Sequence, residues 1–550
     1  MRVGKLITVA TLLWACALVV VWQLPRLPGA SSVVYAAGNH DDGDLDRDFA
    51  NVLSAAGFTG NIQRTFQKRI ETNLGRPIDP KLVELGRALW FDTIHSLGRD
   101  NTCGGCHSPT NGFGDSQTMA IGVLNNNIVG EGHSNVVGPG RHGPRNQRRS
   151  PLVVNTAIYP ALMWNGRFQS LSGDPFDNSQ GFSFPFPEDS SQFTSAPDRF
   201  SYKEDKKHGI THLLQAQAHM PPTEMIEVAG FHGTCPNGVP DPTLGPRFCQ
   251  FDDGSDHGVQ VPLPDPATGS RNEPIRQAVL HALNGIPAYR QLFGQAFPGQ
   301  ISPLPGHGKD IDFYMFGKAI AEFEFTLVFA DAPVDQFARG DRDAMTTAQK
   351  RGGILFFGKA GCVTCHAVSS DPNDPDANEM FSDFKEHVIG VPQIAPRFGR
   401  YTGNVIFAGP GEDEDFGREE RTGDPRDRYK FRTAPLRNLA VSPGFFHNGA
   451  FTTLEDAIRF HLNVAKEARK YDAVQAGVPG DLTQKLGPPV PQNLLDPLIR
   501  RLIKLSDEEF TDLVTFVRDG LLDQRVTNLC HLIPASVPSG QPVLQFQGCP

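Results

Sequence analysis

The feature that most constrains this 550-residue chain is a repeated pentapeptide, Cys-x-x-Cys-His, at residues 103–107 and 362–366. In this pattern two thiols bond covalently to the vinyl groups of a haem, and the adjacent imidazole ligates the iron. Zinc ribbons also use Cys-x-x-Cys pairs, but those pairs lie within roughly 15 to 20 residues of each other. The repeat therefore predicts two covalently bound haem c groups. The attachment residues are Cys103, Cys106, Cys362 and Cys365, and the proximal iron ligands are His107 and His366.

The N-terminus carries the pattern of an export signal. Arg2 and Lys5 precede an uncharged apolar run from Leu6 to Leu24, and a small-residue stretch follows it. This order is typical of a secretory signal peptide with cleavage near residues 36–37, so we expect a periplasmic protein. An uncleaved membrane anchor stays open, because the run nearly reaches the roughly 20 residues that span a bilayer.

The remaining cysteines fit export. Cys16 lies inside the apolar run, and the four haem-attachment cysteines are committed, which leaves four other cysteines in the mature chain. The economical pairing joins Cys235 to Cys249 and Cys530 to Cys549, and each bond closes a Pro- and Gly-rich segment in an oxidising compartment. Four free thiols are the alternative. The net charge of −10, spread without long single-sign runs, argues against a nucleic-acid partner, which requires a basic face.

Each haem motif follows a predicted helix. Asp79 and the proline after it predict a helix start, and this helix should end near Asp92. Thr346 and Gln349 form a capping box, and the helix that they start should run to Gly358. A helix, a short loop and a haem motif in this order are typical of the entry to a cytochrome c domain. Their repetition predicts two such domains.

The other periodic segments are also helical. Helices are predicted from about Asp310 to Phe329, after the capping pattern Thr452-x-x-Glu455, and after the capping pattern Ser506-x-x-Glu509. No sustained strand alternation appears, so the predicted fold is mainly α, with two cytochrome c-like haem domains and long loop insertions within residues 171–211 and 231–273. The predicted boundaries are 1–37 for the signal or anchor, 38–305 and 306–525 for the haem domains, and 526–550 for a disulfide-tied tail.

Six motifs occur in a specific order between about residues 75 and 520. They are Leu-Gly-Arg-Ala-Leu-Trp-Phe-Asp at 85–92, Trp-Asn-Gly-Arg at 164–167, Ala-Ile-Ala-Glu-Phe at 319–323, Phe-Ala-Arg-Gly-Asp at 337–341, Phe-Arg-Thr-Ala-Pro-Leu-Arg-Asn at 431–438 and Gly-Phe-Phe-His-Asn-Gly at 444–449. This order resembles the bacterial di-haem cytochrome c peroxidases and their MauG-type relatives. The resemblance implies that the first haem reacts with peroxide and that the second transfers electrons.

The resemblance also implies a sixth ligand for the second haem iron, fourteen residues after His447. That position is His461, which would give a bis-histidine centre of lower potential than a methionine ligand gives. Because His461 lies on the apolar stripe of its predicted helix, a plain core role stays open.

For the first haem, relatives that need reductive activation carry a displaceable histidine in an Ile-Gly-His sequence. Here residues 121–123 are Ile-Gly-Val, which implies a distal side open to peroxide, as in the MauG-type branch. His133 or His142, in the following Gly-rich loop, could substitute.

Cleavage of peroxide needs a base that takes a proton from the near oxygen and returns it to the leaving oxygen. The family places a glutamate ten residues after a glutamine in a Gln-Ala-x-x-Pro context. Gln217 begins that context here, and the tenth residue after it is Glu227. Glu224 matches the family's Glu-Met pair but not the spacing, so Glu227 is the favoured base and Glu224 the alternative.

Two further assignments concern the region between the haems. Trp164 resembles the family's inter-haem tryptophan and would relay electrons, although plain packing would preserve it equally. Thr433 and Pro435 resemble backbone ligands of an inter-haem Ca²⁺, a cation that oxygen atoms bind. The side-chain ligand is unassigned, because Arg149 stands where an asparagine is expected, with Asn146 and Asn155 nearby.

Three functions compete. The first is an exported peroxidase that reduces hydrogen peroxide with electrons from a small cytochrome c or cupredoxin. The second is a MauG-like enzyme that oxidises a protein or organic substrate through a high-valent di-iron state. The third is a non-catalytic electron carrier, which would require both irons to be six-coordinate. A homodimer is compatible with all three.

Overall fold

A computed structural model describes residues 42–123, 128–129, 145–146, 148–183, 209–239, 249, 251–252, 258–267, 272–306, 308–369, 379–394, 407–408, 413–480, 482 and 486–550. The predicted export signal and the two loop histidines, His133 and His142, lie outside these ranges. The described residues belong to one compact unit. The boundary between two haem domains stays a prediction.

Helices make up most of the regular structure. They are α1 Asp42–Ala55, α2 Ile62–Leu74, α3 Pro80–Phe91, α4 Cys103–Cys106, α5 Leu213–Gln217, α6 Asn272–Asn284, α7 Pro287–Ala296, α8 Phe313–Glu324, α9 Pro333–Ala338, α10 Thr347–Phe357, α11 Glu419–Thr422, α12 Leu454–Leu462, α13 Val464–Lys470 and α14 Asp507–Thr515. A five-residue π-helical turn, Met225–Ala229, follows α5. Within the described ranges, no helix has the length and apolar character needed to cross a bilayer.

Strands are only two or three residues long. They are β1 Ile128–Val129, β2 Ala161–Leu162, β3 Phe168–Ser170, β4 Phe182–Ser183, β5 Glu386–His387, β6 Phe407–Ala408, β7 Glu414–Asp415, β8 Phe431–Arg432 and β9 Gln545–Phe546. β2, β3 and β4 form one antiparallel sheet, β5 pairs with β8 and β6 with β7. β1 and β9 pair in parallel, which attaches the C-terminal segment to the region of the first motif.

The helix in front of each haem motif begins as predicted. The Asp79 carboxylate accepts the Lys81 backbone N–H and caps α3, which ends at Phe91 with Asp92 as its C-cap. Thr346 and Gln349 form the predicted capping box of α10, and Ser506 with its partner Glu509 does the same for α14. These three starts are local, because the cap and the N–H that it satisfies lie within one turn.

Two helix predictions were wrong in their limits. α8 spans Phe313–Glu324 and is shorter than predicted, because Asp312 caps its start and the bonds after Glu324 tighten to a spacing of two or three residues. α12 is capped by Thr453 rather than Thr452. The hydroxyl of Thr452 instead donates to the carbonyl of Ala476 at 2.6 Å, so it is not available to the helix.

The two haem-bearing regions use the same packing device. α3 packs against α8 through Gly86, where a Cβ atom would lie 1.9 Å from the carbonyl oxygen of Ala319. α10 packs against α14 through Gly352, where a Cβ atom would lie 1.9 Å from the carbonyl oxygen of Asp512. Only glycine permits such close backbone approach. Each contact fixes the helix that leads into a haem motif.

Apolar side chains form a separate core around each of these pairs. The first core surrounds α3 and α8 with Trp90, Phe113 and Phe323. The second surrounds α10 and α14, with Phe356 and Phe516 at its centre. The predicted disulfides Cys235–Cys249 and Cys530–Cys549 are both present, and both lie near the first core.

Candidate haem sites

The first haem motif presents a histidine prepared for metal binding. α4 is a single turn that carries both cysteines, and His107 follows it. The His107 Nδ1–H lies 3.0 Å from the carbonyl oxygen of Phe113 and 3.1 Å from that of Pro151. Because carbonyls only accept, Nδ1 carries the proton and Nε2 is the bare nitrogen. Burial lowers the pKa of His107 to about 4, so the imidazole is neutral, as iron ligation requires.

Unpaired polar atoms around this motif fit a bound group with polar edges. Trp90 Nε1 and His95 Nδ1 are buried and have no hydrogen-bond partner among the described residues. The Trp90 ring lies 6.0 Å from that of His107, and His95 Nε2 lies 3.9 Å from the Cys103 sulfur. Buried polar atoms are rarely left unpaired, since each unpaired atom destabilises the fold. The residues present therefore fit a covalently attached haem here.

The predicted acid–base segment is fastened to the first motif. The Val123 N–H donates to the carbonyl of Ile226 at 3.2 Å, and a Cβ on Gly122 would lie 2.2 Å from the same oxygen. Asn101 donates from Nδ2 to the carbonyl of Glu227 at 2.6 Å and lies 3.6 Å from the Cys106 sulfur. The structure thus brings together the Ile-Gly-Val loop, the glutamate segment and the first haem motif.

A cationic side chain links the two candidate glutamates. The Arg167 guanidinium lies 3.4 Å from Glu224 Oε1 and 3.9 Å from Glu227 Oε1. Burial and the Glu224 charge raise the pKa of Glu227 to about 7, and Arg167 opposes this rise. A carboxyl with a pKa near 7 can both take and return a proton at neutral pH. The Glu227 side chain is 24% exposed, so a small molecule can reach it.

Gln217 is the last residue of α5, and its carbonyl accepts the Met220 N–H at 3.0 Å. The chain then turns through Pro221–Thr223 to Glu224. Gln217 therefore sets the start of the segment that carries the glutamates. Its own side chain is half-buried.

The second haem motif also carries a histidine whose Nε2 is free to bind a metal. The His366 Nδ1–H donates to the carbonyl of Phe381 at 3.0 Å, which leaves Nε2 bare. Burial and the neighbouring His461 lower the pKa of His366 to about 4. The cysteines that precede it, Cys362 and Cys365, are not in disulfides and line the same cavity as the histidine.

His461 faces His366 across this cavity. On α12, the His461 Nδ1–H donates to the carbonyl of Ala457 at 2.8 Å, so its Nε2 is also bare. The two imidazole centroids are 6.4 Å apart, with an angle of 64° between the rings. An iron held by two imidazoles at about 2 Å each would separate the centroids by roughly 6 Å. The spacing matches that of a bis-histidine pair.

The cavity between these histidines is mainly apolar, with Leu152, Phe356 and Phe446 among its lining residues. Arg149 and Arg432 also line it, and both are buried. Among the described residues, neither guanidinium forms an ion pair with a carboxylate within 4 Å; Asp115 and Glu386 act on Arg149 and Arg432 only from a greater distance. A buried cation without a directly paired carboxylate is unfavourable. Because a haem carries two carboxylates, the cavity fits such a group in both shape and charge.

Trp164 connects the cavity to the first motif. The residue lines the cavity, and its Nε1–H donates to the carbonyl of Arg149 at 2.8 Å. Only Ser150 separates Arg149 from Pro151, whose carbonyl accepts the His107 Nδ1–H. The Arg432 N–H donates to the Trp164 carbonyl at 2.7 Å and fixes the backbone.

The residues expected to bind calcium do not present a suitable oxygen set. The carbonyl oxygen of Thr433 accepts the Ser382 hydroxyl at 2.7 Å and the Arg432 guanidinium at 3.2 Å. A carbonyl oxygen has two lone pairs, and here both are engaged. Pro435 lines the haem cavity beside these groups.

Of the two candidate side-chain ligands for calcium, one has its oxygen engaged. Asn155 makes two hydrogen bonds to the backbone of Phe329, at 3.0 and 2.8 Å, and one of them uses its Oδ1. Asn146 Nδ2 lies 3.4 Å from the Cys106 sulfur, whereas its Oδ1 is buried without a hydrogen-bond partner among the described residues. In the described ranges, no cluster of three or more His, Cys, Asp or Glu side chains could hold a metal ion. Asn146 Oδ1 alone is a poor match for the several oxygen ligands that calcium requires.

Sequence reasoning assigned no role to Arg167 and Arg432. Both lie inside motifs that carry the family resemblance, at 164–167 and 431–438, and that position was the available signal. Their contacts cross long sequence distances: Arg167 meets Glu224, and the Arg432 Nε–H donates to the carbonyl of Met163 at 2.9 Å. Periodicity and spacing along the chain cannot predict such contacts.

Two prepared histidines beside Cys-x-x-Cys pairs, and a carboxylate pair at one of them, define a two-haem c-type oxidoreductase. The family model described as di-haem cytochrome c peroxidase matches residues 80–343. The chain is 32% identical over 456 residues to cytochrome-c peroxidase IdrP1 of Denitromonas iodatirespirans, covering 80% of this chain and 81% of that protein. This chain belongs to the di-haem cytochrome c peroxidase family.

The chain is also similar to a MauG protein and to a solved structure. The chain is 25% identical over 386 residues to methylamine utilization protein MauG of Methylorubrum extorquens, covering 70% of each. The crystal structure of the diheme peroxidase BthA from Burkholderia thailandensis matches with a TM-score of 0.47 and 18% identity, covering 84% of this chain and 90% of that one. The family assignment establishes a haem-containing oxidoreductase with two c-type haems and a peroxidase or MauG-like function.

Proposed function

We propose that the chain is an exported di-haem peroxidase that reduces hydrogen peroxide at the first haem with electrons passed from the second. The observation that carries this proposal is the cluster of Glu224, Glu227 and Arg167, which is fastened through Asn101 to the first motif. The second motif instead faces an apolar cavity and another histidine. Proton transfer is needed where peroxide reacts, and an apolar setting suits electron transfer.

The residues that would hold the haems divide accordingly. Cys103, Cys106 and His107 would hold the first haem. Cys362, Cys365, His366 and His461 would hold the second, since the His461 ring lies 6.4 Å from that of His366. When bound, the haems supply the one-electron steps of peroxide reduction.

Glu227 would act as the acid–base residue. It takes a proton from one oxygen of hydrogen peroxide and returns it to the other as the O–O bond breaks, and two further protons and two electrons complete the formation of two waters. Its pKa of about 7 lets it work in both directions at neutral pH. Arg167 holds the two carboxyls in place and stabilises negative charge beside them.

Trp164 would carry electrons between the sites. Trp164 borders the cavity of the second haem motif, and hydrogen bonds and a short stretch of backbone join its indole N–H to His107. This continuous bonded path supports a relay role over a plain packing role. The backbone bond from Arg432 keeps the indole in place.

The electron donor would be a small cytochrome c or a cupredoxin, and the protein would act in the periplasm. The two disulfides support export, since such bonds form in oxidising compartments. Cell fractionation of the full chain, with the N-terminus of the mature protein determined, would test the location.

Steady-state turnover tests the proposal directly. Purified holoenzyme, hydrogen peroxide and a reduced small cytochrome c should give continuous oxidation of the cytochrome with two molecules oxidised per peroxide. Oxidation that stops after a single turnover, at any donor concentration, would contradict a peroxidase.

A MauG-like oxidation of a protein or organic substrate is the second candidate. It is favoured by Val123, a buried residue at the position where reductively activated relatives carry a histidine. If this function holds, peroxide should be consumed slowly with the cytochrome but faster with the organic reductant, and mass spectrometry should find the reductant oxidised.

A further inference from the structure

Two buried guanidinium groups lie where the family resemblance implies calcium. Arg432, on β8, donates from Nε to the carbonyl of Met163 at 2.9 Å and from a terminal nitrogen to the carbonyl of Thr433 at 3.2 Å. Its backbone N–H also holds Trp164. One side chain thus ties together the tryptophan loop and the expected calcium carbonyl.

Arg149 occupies the sequence position expected for an asparagine ligand. Its guanidinium donates to the carbonyl of Thr118 at 2.9 Å, the hydroxyl of Ser442 at 3.2 Å and the carbonyl of Gln117 at 3.3 Å. All three acceptors are neutral. The carbonyl of Arg149 accepts the Trp164 indole N–H, so this residue too contacts the inter-haem tryptophan.

A third arginine shows how unusual this arrangement is. Arg437, in the same segment, makes two bonds of 2.7 Å to the Asp335 carboxylate, so its charge is neutralised inside the protein. Arg432 and Arg149 contact no carboxylate among the described residues. Burial lowers the pKa of Arg432 to about 10, still well above neutral, so the group stays cationic. The two positive charges remain available to anions in the cavity.

Calcium requires six to eight oxygen ligands at about 2.3–2.6 Å. Here the Thr433 oxygen is engaged twice, the asparagine position holds a cation, and of the two nearby asparagines only Asn146 keeps an unpaired side-chain oxygen. Two fixed positive charges would also repel a divalent cation. These features oppose metal binding independently of one another.

We propose that Arg432 and Arg149 replace the inter-haem calcium in this chain, so that fixed guanidinium groups supply the positive charge and the cross-links around Trp164. The haem carboxylates are the anions that this pair would neutralise. The region between the haems then needs no exchangeable ion. This inference depends on the two haems and not on which oxidation reaction the enzyme performs.

The first test uses the wild-type holoprotein. After dialysis against calcium and removal of free ion, elemental analysis should find sub-stoichiometric calcium, and the chelator EGTA should leave the midpoint potentials of both haems unchanged. One tightly bound calcium per chain, or a shift with EGTA that calcium reverses and magnesium does not, would overturn the proposal. Neither readout requires enzyme turnover.

The second test removes the charge. Arg432→Gln should lower the midpoint potential of the second haem in spectropotentiometric titration, because a nearby positive charge favours the reduced state. Arg432→Lys keeps the charge and should retain most of the wild-type potential. Arg426→Gln is the matched control, since Arg426 lies in the same segment but its side chain is 88% exposed and screened by water.

The outcomes separate cleanly. A lowered midpoint potential of the second haem in Arg432→Gln supports the proposal if Arg432→Lys and Arg426→Gln keep potentials near the wild-type value. Equal potentials in Arg432→Gln and wild type would contradict it. If the glutamine variant does not fold, the calcium measurement on the wild-type protein still decides the question.

Discussion

The two haem sites share a scaffold and differ in what faces the haem. In each, a capped helix packs through a glycine against a later helix and then leads into the motif. Gly86 of α3 contacts α8, and Gly352 of α10 contacts α14. The first site adds two carboxyls and Arg167, whereas the second adds an apolar cavity and His461. A repeated close backbone contact thus positions each haem motif, while side chains from distant segments make the two sites chemically different.

The two sites also differ in how their charged side chains are paired. At the first site, Arg167 lies within 4 Å of both glutamates, and the pKa of Glu227, about 7, lets this carboxyl exchange a proton at neutral pH. At the second site, the buried Arg149 and Arg432 have no carboxylate within 4 Å among the described residues. The first arrangement suits proton transfer, and the second suits a stable charge beside an electron carrier.

The largest effect is expected from removing the proposed acid–base group. Glu227→Gln should lower peroxide turnover by about 10²–10⁴-fold, because a proton acceptor is lost, while the spectrum of the second haem stays unchanged. Steady-state kinetics with a reduced cytochrome measures this loss. Glu224→Gln is the matched variant and should retain more activity; the opposite ranking would assign the role to Glu224.

The two haem sites should also differ in stability, because both disulfides lie near the first core. Replacing Cys235 and Cys249 by alanine should cost about 3 kcal/mol, as expected for a loop closed over a separation of 14 residues. In this variant, denaturant unfolding followed at each haem should show that the first site unfolds at a lower denaturant concentration than the second. Equal midpoints at both haems would contradict separate stabilities.

The second site should respond to its axial ligand. His461→Met should raise the potential of the second haem, on the order of 0.1 V within the range of about 0.8 V that axial ligands span. The first haem should keep its potential. An unchanged second-haem potential would show that His461 is only a core residue.

The pH profile tests the electrostatics of the first site. If Glu227 acts as the base, kcat/KM for peroxide should fall about tenfold per pH unit below pH 7, as the carboxyl becomes protonated. Arg167→Gln should move this limb to higher pH, because Arg167 lowers the pKa of Glu227. A limb that moves to lower pH in this variant would contradict the assignment.

The smallest effect concerns the scaffold alone. Ser506 caps α14, because its Oγ accepts the Glu509 N–H at 3.1 Å. Ser506→Ala removes this cap and should lower the free energy of unfolding by about 1 kcal/mol. Peroxide turnover should stay at the wild-type value. A loss of activity without a loss of stability would show that α14 does more than support the second core.

Local features were predictable from the sequence, and long-range ones were not. The haem motifs, the cap at Asp79, the capping boxes at Thr346 and Ser506, and both disulfides follow from groups close together in the chain. The start of α12 was missed by one residue because Thr452 and Thr453 both have an acidic residue three positions on. The choice depends on Ala476, which accepts the Thr452 hydroxyl.

The same limit applies to the candidate sites. Glu224 and Glu227 were identified by their spacing from Gln217, but their link to Arg167 depends on the folded chain. The expected calcium site rested on Thr433 and Pro435 alone. The hydrogen bond from Ser382 to Thr433 spans 51 positions, so no pattern along the chain could reveal that this oxygen is engaged.

Low-temperature electron paramagnetic resonance of the oxidised, as-isolated protein tests the central difference between the sites. We expect one high-spin ferric signal, from a first haem open to peroxide, and one low-spin ferric signal, from a second haem held by His366 and His461. Two low-spin signals would contradict it, because both haems would then be closed at rest, as in a reductively activated peroxidase or an electron carrier.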